Sequence, residues 1–433
     1  MRHKRKLLFL GNLILCTFSI MLIYLVVLDF TGAIPSEYNI KVGDDYVIDA
    51  RFPLSFTYDL EENSILEVNP VEELSKTYLG RNNGIQLKTL EKGSADLHYK
   101  VLGLIPYKTV KVNVVPRLEV YPGGQSIGVK LNTEGVLVVG VAEITDISGN
   151  RHSIAEKNGI RIGDSLIAIN NTMVESSLHV AELVQESNGE NLELVLKRNG
   201  REFTANVTPI QSGEDGSYKL GLWVRDKTAG VGTLTFYHKD SKKFGALGHG
   251  IADVDTGELM SIKDGEIMNS KVISIQPGKK GRPGEIRGIF NDVNSPIGRL
   301  EKNTVHGVYG EMIRDFPNNK FNVPMEIAYQ HEIKEGPAYI LTTLDDNQIN
   351  KYDIEILRVI NQSKADSKSM IIRITDPRLL EKTGGIVQGM SGSPIIQDER
   401  VVGAVTHVLV NDPTRGYGIF IEWMLQESGV FDN

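Results

Sequence analysis

Ser391 lies in Gly389-Met390-Ser391-Gly392-Ser393-Pro394, and His249 lies far upstream in Gly248-His249-Gly250. A serine between glycines, followed at once by an apolar run, forms a turn that presents a hydroxyl. The same turn aims backbone N–H groups at an oxygen that becomes negative during acyl transfer. Glycine is required where the backbone takes conformations that a Cβ would forbid. By position relative to the serine, the N–H groups of Gly389 and Ser391 are the expected oxyanion donors. Acyl transfer also needs a base for the hydroxyl proton and a group that orients the base. His249 is the expected base: it sits in a small-residue turn, early in a β-rich region whose last quarter carries Ser391.

The orienting acid is less determined. Asp376, in Ile374-Thr375-Asp376-Pro377, is one candidate; Asp253, Asp255 and Asp292 compete on spacing. An aspartate before proline is more often a turn residue. His407, on the run Val402–Val410, reads as a pocket or core residue. Other hydrolase layouts fit poorly. An α/β-hydrolase elbow needs glycine where this chain has Ser393, and a different residue order. A subtilisin-like order needs an acid before His249, and Asp226 is the only near candidate. No His-Glu-x-x-His occurs, and no phosphate-binding glycine loop sits between a strand and a helix. Cys16 is the sole cysteine and lies in an apolar span, which excludes a thiol nucleophile and cysteine-ligated zinc. Neither cofactor nor metal is expected.

These residues need a scaffold. A chain of 433 residues accommodates two to four domains. A net charge of −8 with no basic block argues against nucleic acid as partner. Arg2, Lys4, Arg5 and Lys6 precede Leu7–Leu28, an uncharged apolar run of about the length that crosses a bilayer. The positive flank places the N-terminus in the cytoplasm and the chain beyond Asp29 outside. No small-residue cleavage site marks Thr31–Pro35, so residues 1–30 read as an uncleaved anchor. Residues 38–116 read as a small β domain of alternating runs, residues 211–217 as a polar linker, and residues 220–433 as a β-rich domain with short turns.

Residues 117–210 are more specific. Ser126-Ile127-Gly128-Val129 precedes the strand Gly135–Val141, then Gly163-Asp164-Ser165-Leu166-Ile167-Ala168-Ile169-Asn170 and a helix at Ser177–Ser187. Two strands joined across Asn199-Gly200 come next, a strong hairpin signal. This segment resembles a PDZ domain of the kind attached to bacterial proteases. The resemblance implies that backbone N–H groups of Ser126, Ile127, Gly128 and Val129 take a peptide carboxylate, while the peptide adds as a strand. Peptide termini or internal segments are the implied partners.

With the anchor, the small β domain, Leu247-Gly248-His249-Gly250, Gly384–Pro394 and the closing Gly416-Tyr417-Gly418…Ile421-Glu422-Trp423, nearly the whole chain resembles the stage IV sporulation protein B peptidases of endospore-forming bacteria. The resemblance implies a mainly β, multidomain chain: one transmembrane helix, a small β domain, a PDZ domain, and a chymotrypsin-like double β-barrel serine peptidase. It maps the catalytic histidine, acid and serine onto His249, Asp376 and Ser391. It further implies sporulation signalling in the space between the forespore membranes. There such a peptidase cleaves a membrane-bound regulator, and itself, to trigger a late mother-cell sigma factor. Two alternatives are a non-catalytic PDZ adaptor with a degenerate protease fold, and a general extracytoplasmic quality-control protease.

Overall fold

The computed structural model describes residues 16–17, 19–20, 37–50, 54–59, 65–71, 83–101, 104–115, 117–290, 295–314, 321–345 and 348–432. The expected membrane anchor lies almost wholly outside them, as does Asp292. Among the described residues no helix is long and apolar enough to cross a membrane. The chain divides into two units: Met1–Leu118 with Asn361–Lys364, and Glu119–Ile360 with Ala365–Asn433.

In the first unit a four-stranded sheet runs in the order Glu37–Lys41, Ile105–Val115, Gly93–Val101, Leu54–Asp59, and a three-stranded sheet in the order Asp45–Ala50, Asn83–Thr89, Leu66–Val71. Alternation explains the core. Val110, Val112 and Val114 bury one face of their strand together with Leu97, Tyr99, Ile85 and Leu87.

The second unit is built around two long strands, β2 (Ser126–Val141) and β6 (Leu222–Tyr237). They pair antiparallel from Leu222↔Val141 to Thr233↔Ser126, with two register shifts. Between them in sequence lie β3 (Ser165–Ile169), helix α1 (Ser177–Glu186), β4 (Leu192–Arg198) and β5 (Arg201–Val207). The sheet order β5-β4-β3-β2 is packed on Val180 and Val184 of α1, and its core holds Leu166, Leu194, Leu196 and Val207. Ser176 starts α1 by accepting the His179 N–H. Asp164 shapes the loop before β3. Its carboxylate is buried, takes the Arg161 N–H at 2.8 Å, and grips Arg198 at 2.6 and 2.7 Å.

The other ends of β2 and β6 belong to a different body. With β7 (Lys243–Ala246), β8 (Asp264–Gln276), β10 (Gly298–Thr304) and β11 (Gly307–Met312) they pair in the order β2-β8-β10-β11-β7-β6, and the β2–β6 pairing returns to the start. These six strands therefore close on themselves around Ile127, Val129, Leu131, Leu234, Phe244, Ile267 and Val308. β9 (Glu285–Phe290) forms a hairpin with β8, and β1 (Glu119–Pro122) extends β6. A second ring, β12-β13-β14-β17-β16-β15, is a closed barrel of Gly336–Thr343, Ile349–Val359, Met370–Ile374, Asp412–Phe420, Arg400–Leu409 and Pro394–Gln397 respectively. The closing helix α3 (Ile421–Ser428) buries Ile421, Trp423, Met424 and Leu425.

Two expectations are corrected here. The α1-bearing fold does not precede the peptidase body as a separate bead: it is inserted in it, between the two halves of the β2–β6 ribbon. Residues 126–132, expected in the PDZ domain, are ring strand. Ser126, Ile127, Gly128 and Val129 consequently form no open loop. They pair with Gly230–Thr233 on one side, and Ile127–Val129 pair with Ile267–Asn269 on the other. Ladder bonds use this backbone on both edges, which leaves no row of N–H groups for a peptide carboxylate.

Replacing Asp164 by alanine leaves the Arg161 N–H without its acceptor and Arg198 without its carboxylate, held only by the Gly159 carbonyl and the Phe203 ring. We expect a loss of about 2 kcal/mol, read as a lower chemical-denaturation midpoint, with Ser391 reactivity toward a fluorophosphonate retained below that midpoint.

Candidate active site

Ser391 sits in the turn between α2 (Pro377–Thr383) and β15. Gly389 has φ of 97°, a left-handed value, and a Cβ there would lie 2.9 Å from the Ile286 Cβ. The peptide planes of this turn are pinned from behind. Gln388 O accepts from Ile286 N at 2.8 Å, and Met390 O accepts from Ser393 N at 2.9 Å. In a trans peptide the N–H points opposite to the C=O. The N–H groups of Gly389 and Ser391 thus face away from these anchors, and neither donates to an acceptor among the described residues. Two fixed, unclaimed donors flanking a hydroxyl can take a developing oxyanion.

β6 holds this turn against the histidine turn. Thr233 N donates to Ser391 O at 3.1 Å, and Thr233 Oγ1 to Gly389 O at 2.8 Å. On the other side, Leu247 N donates to Thr233 O at 3.2 Å, two residues before His249. Thr235 Oγ1 donates to Gly392 O at 2.8 Å. A Cβ at Gly392 would lie 2.1 Å from Thr233 O and 2.5 Å from Leu247 N, so only glycine permits this approach. Sequence reasoning missed both threonines. The available signal was a hydroxyl pair on one face of Gly232-Thr233-Leu234-Thr235-Phe236, a strand buried throughout.

His249 follows the turn at the end of β7 and is half-buried. Its Nδ1 lies 2.9 Å from Gly250 O. A carbonyl only accepts, so Nδ1 carries the proton and Nε2 is the lone-pair nitrogen, the tautomer a general base needs. Burial pushes the His249 pKa below the ordinary histidine value, opposed by the Gly250 bond. The ring of His407, on β16, lies 5.3 Å from that of His249, centroid to centroid. Burial, then the charges of His249 and Lys368, push His407 down to about 4 against an opposing Asp366. Burial favours the neutral form of both rings. The Ser391 hydroxyl itself donates to Thr406 O at 2.8 Å, and no hydrogen bond joins it to His249.

Asp376 is not at this site. It is the N-cap of α2, accepting the Arg378 N–H at 2.9 Å. Its carboxylate also takes Arg378 Nε at 3.0 Å, Arg378 Nη2 at 2.6 Å and the Asp353 N–H at 3.2 Å. The Arg378 guanidinium holds the Asp376 pKa low, with burial opposing. Through Thr233 the structure ties the turns of His249 and Ser391 together, and it leaves Asp376 occupied by Arg378; the His249 tautomer is set by the Gly250 carbonyl. Asp253 and Asp255 are likewise engaged, both by Arg225. Among the described residues no group of three or more His, Cys, Asp and Glu is arranged to hold a metal ion.

A cleft of about 420 Å³ opens beside α1. Val180 and Val184 face Ile144, Leu220 and Leu222 across it. Leu220-Gly221-Leu222 is itself an apolar-Gly-apolar sequence, overlooked because the PDZ elements were read from the wrong end. The N–H groups of Leu220 and Gly221 donate to no described acceptor. Ala142 N donates to Gly221 O at 2.9 Å, which makes Leu222↔Val141 a non-hydrogen-bonded pair. The N–H and C=O of Leu222 therefore point away from β2, to an open strand edge on the cleft. The carboxylate loop expected at Ser126–Val129 is thus replaced by a candidate at Leu220–Leu222.

Residues 146–198 match the model of the PDZ domain, and residues 216–425 match that of the SpoIVB peptidase S55 family. Residues 216–425 are thus a serine peptidase domain, and residues 146–198 a PDZ domain. That peptidase domain is of the SpoIVB peptidase S55 family. Over 98 residues it is 31% identical to a protein of Lactococcus lactis subsp. lactis (strain IL1403) named as a putative zinc metalloprotease. That stretch is 22% of this chain, and the chain spans only 22% of the relative. A crystal structure of the Rv3671c protease in its inactive form matches 46% of this chain and 84% of its own, at 12% identity and a TM-score of 0.26.

Two variants test this geometry. Asp376→Ala removes a helix cap and an arginine partner and should lower stability by about 1–2 kcal/mol. The acid-limb midpoint of kcat/KM should stay in place; a shift in that midpoint would instead make Asp376 the partner of His249. Thr233→Val leaves Gly389 O unpaired and should cut kcat/KM roughly ten-fold, a loss of about 1.4 kcal/mol in transition-state stabilisation. Thr233→Ser should restore most of it.

Proposed function

We propose that Ser391 is the nucleophile and His249 the general base of a membrane-tethered endopeptidase on a chymotrypsin-like double barrel. The observation that carries this reading is the pair of unclaimed N–H groups, on Gly389 and Ser391, held around a serine whose turn Thr233 ties to the turn of His249. Substrate binding turns the Ser391 hydroxyl from Thr406 O to His249 Nε2. Oγ then attacks the scissile carbonyl as its proton passes to Nε2. The carbonyl oxygen becomes an oxyanion between the two N–H groups. His249 returns the proton to the leaving amine as the C–N bond breaks, and water repeats the sequence on the acyl-enzyme. Nδ1–H stays on Gly250 O throughout and steadies the imidazolium.

The cleft beside α1 supplies the substrate's second hold. A peptide laid along Leu222 extends the sheet by one strand, and a terminal carboxylate meets the Leu220 and Gly221 N–H groups. Apolar side chains then enter between Val180, Val184 and Ile144. The family assignment and the apolar segment Leu7–Leu28 support a role in sporulation signalling: a peptidase outside the cytoplasmic membrane that cleaves a membrane-bound regulator and its own N-terminal region.

Ser391→Ala should abolish cleavage and fluorophosphonate labelling, with His249→Ala losing labelling at least 10²-fold. A Ser391→Ala protein that still cleaves itself and its substrate at the native rate refutes the assignment. Broad digestion of denatured casein would favour a quality-control protease over a signalling one. The pH profile is a further check. His249 must be neutral to act, and its pKa is lowered, so activity should persist below pH 6.5 and fall only at more acid pH. An acid limb centred above pH 6.5 would contradict a buried, uncharged base. Val180→Arg should weaken binding of apolar peptide termini about ten-fold or more while fluorophosphonate labelling of Ser391 is unchanged.

A further inference from the structure

Lys279, Lys280 and Arg282 crown the turn between β8 and β9, and all three are exposed. The turn is closed on itself: Lys279 N donates to Arg282 O at 2.9 Å, and Arg282 N to Lys279 O at 2.8 Å. It is also fastened to the second ring. Gly278 N donates to Thr383 O and Gly281 N to Val410 O, each at 2.8 Å. A few residues on, Gly284 O accepts from Gln388 N at 2.9 Å, and Ile286 N donates to Gln388 O at 2.8 Å. The same hairpin therefore pins the peptide ahead of Gly389 and displays three cations roughly 10 Å further along, at about 3.3 Å per residue.

None of the three cations forms an ion pair among the described residues, whereas Arg287, lower on the hairpin, is neutralised by Glu285. Like charges repel, and a loose loop would spread them. Here four backbone hydrogen bonds hold the turn that carries them, on a chain whose net charge is −8. A fixed, uncompensated positive cluster on the hairpin that anchors Gln388 is arranged for an external anion.

We propose that this turn is a docking site for an acidic stretch of a protein substrate, lying about three to five residues from the scissile bond. The proposal rests on the assignment of Ser391 as nucleophile. Extended substrate in the cleft would carry Asp or Glu side chains past Lys279, Lys280 and Arg282, adding selectivity that the apolar cleft beside α1 does not provide. Both holds together restrict cleavage to chains bearing both features.

The test uses the full chain with Ser391→Ala and a fluorescent hexaglutamate peptide, followed by anisotropy. Saturable binding is expected, weakened at least ten-fold between 50 and 300 mM salt as screening shortens the reach of the charges. The triple variant Lys279→Glu, Lys280→Glu, Arg282→Glu should lose at least ten-fold in affinity, and a Gly-Ser hexamer should not bind either protein. Unchanged hexaglutamate binding in the triple variant overturns the proposal. So does binding of phosphatidylglycerol vesicles that depends on these cations when the peptide does not bind, which would make the turn a membrane contact. The same triple substitution on the Ser391 background should label with fluorophosphonate at the native rate. Failure to label in the unsubstituted chain would instead count against Ser391 as nucleophile.

Discussion

A single strand carries the constraint on which the arrangement of His249 and Ser391 depends. β6 passes between the turn that bears His249 and the turn that bears Ser391, and Thr233 bonds to both. Each turn alone contains a left-handed glycine, at Gly248 and Gly389, and could not hold its shape without outside partners. Thr233 supplies them through its N–H, C=O and hydroxyl. Gly392 lets the two backbones close to van der Waals distance around it. The position of Ser391 relative to His249 is therefore tied to one residue's three polar groups, which link the two turns.

The same strand borders the cleft beside α1 at its other end. Leu222 offers its N–H and C=O to the cleft, and eleven positions on Thr233 holds the nucleophile turn. Arg225, between them, pairs with Asp253 and Asp255 in the loop after His249. Inserting the PDZ fold within the first ring, by way of the β2–β6 ribbon, joins the proposed peptide site and the proposed catalytic site by one strand. A PDZ domain hung on a flexible linker would raise only the local concentration of substrate. Here the geometry of the two sites is shared.

Asp376 illustrates how a motif position and a role can separate. Its carboxylate is buried and ionised, as a triad acid would be, yet its charge answers Arg378 and the first turn of α2. The turn preference of an aspartate before proline pointed that way. His249 meanwhile obtains its tautomer from the adjacent Gly250 carbonyl, and a nearby His407 resists sharing a proton with it.

Sequence by itself determined the elements whose cause is local. The glycine turns at Ser391 and His249, the Asn-Gly hairpin after β4, the helix at Ser177 and the alternating strands arise from backbone sterics and hydrophobic period. They were legible without a fold. So was the candidate pair His249 and Ser391, because glycine on both sides of a reactive side chain has few other uses. Only the tertiary structure decided which backbone groups remain unpaired. Ser126–Val129 has the apolar-glycine pattern of a carboxylate loop but is paired on both edges. Leu220–Leu222 has a similar pattern and keeps its N–H groups free. The roles of Thr233 and Thr235, the occupation of Asp376, and the exposure of Lys279, Lys280 and Arg282 depend likewise on strands far apart in sequence. Hydrogen-bond satisfaction is a property of neighbours in space, and a linear pattern does not specify them.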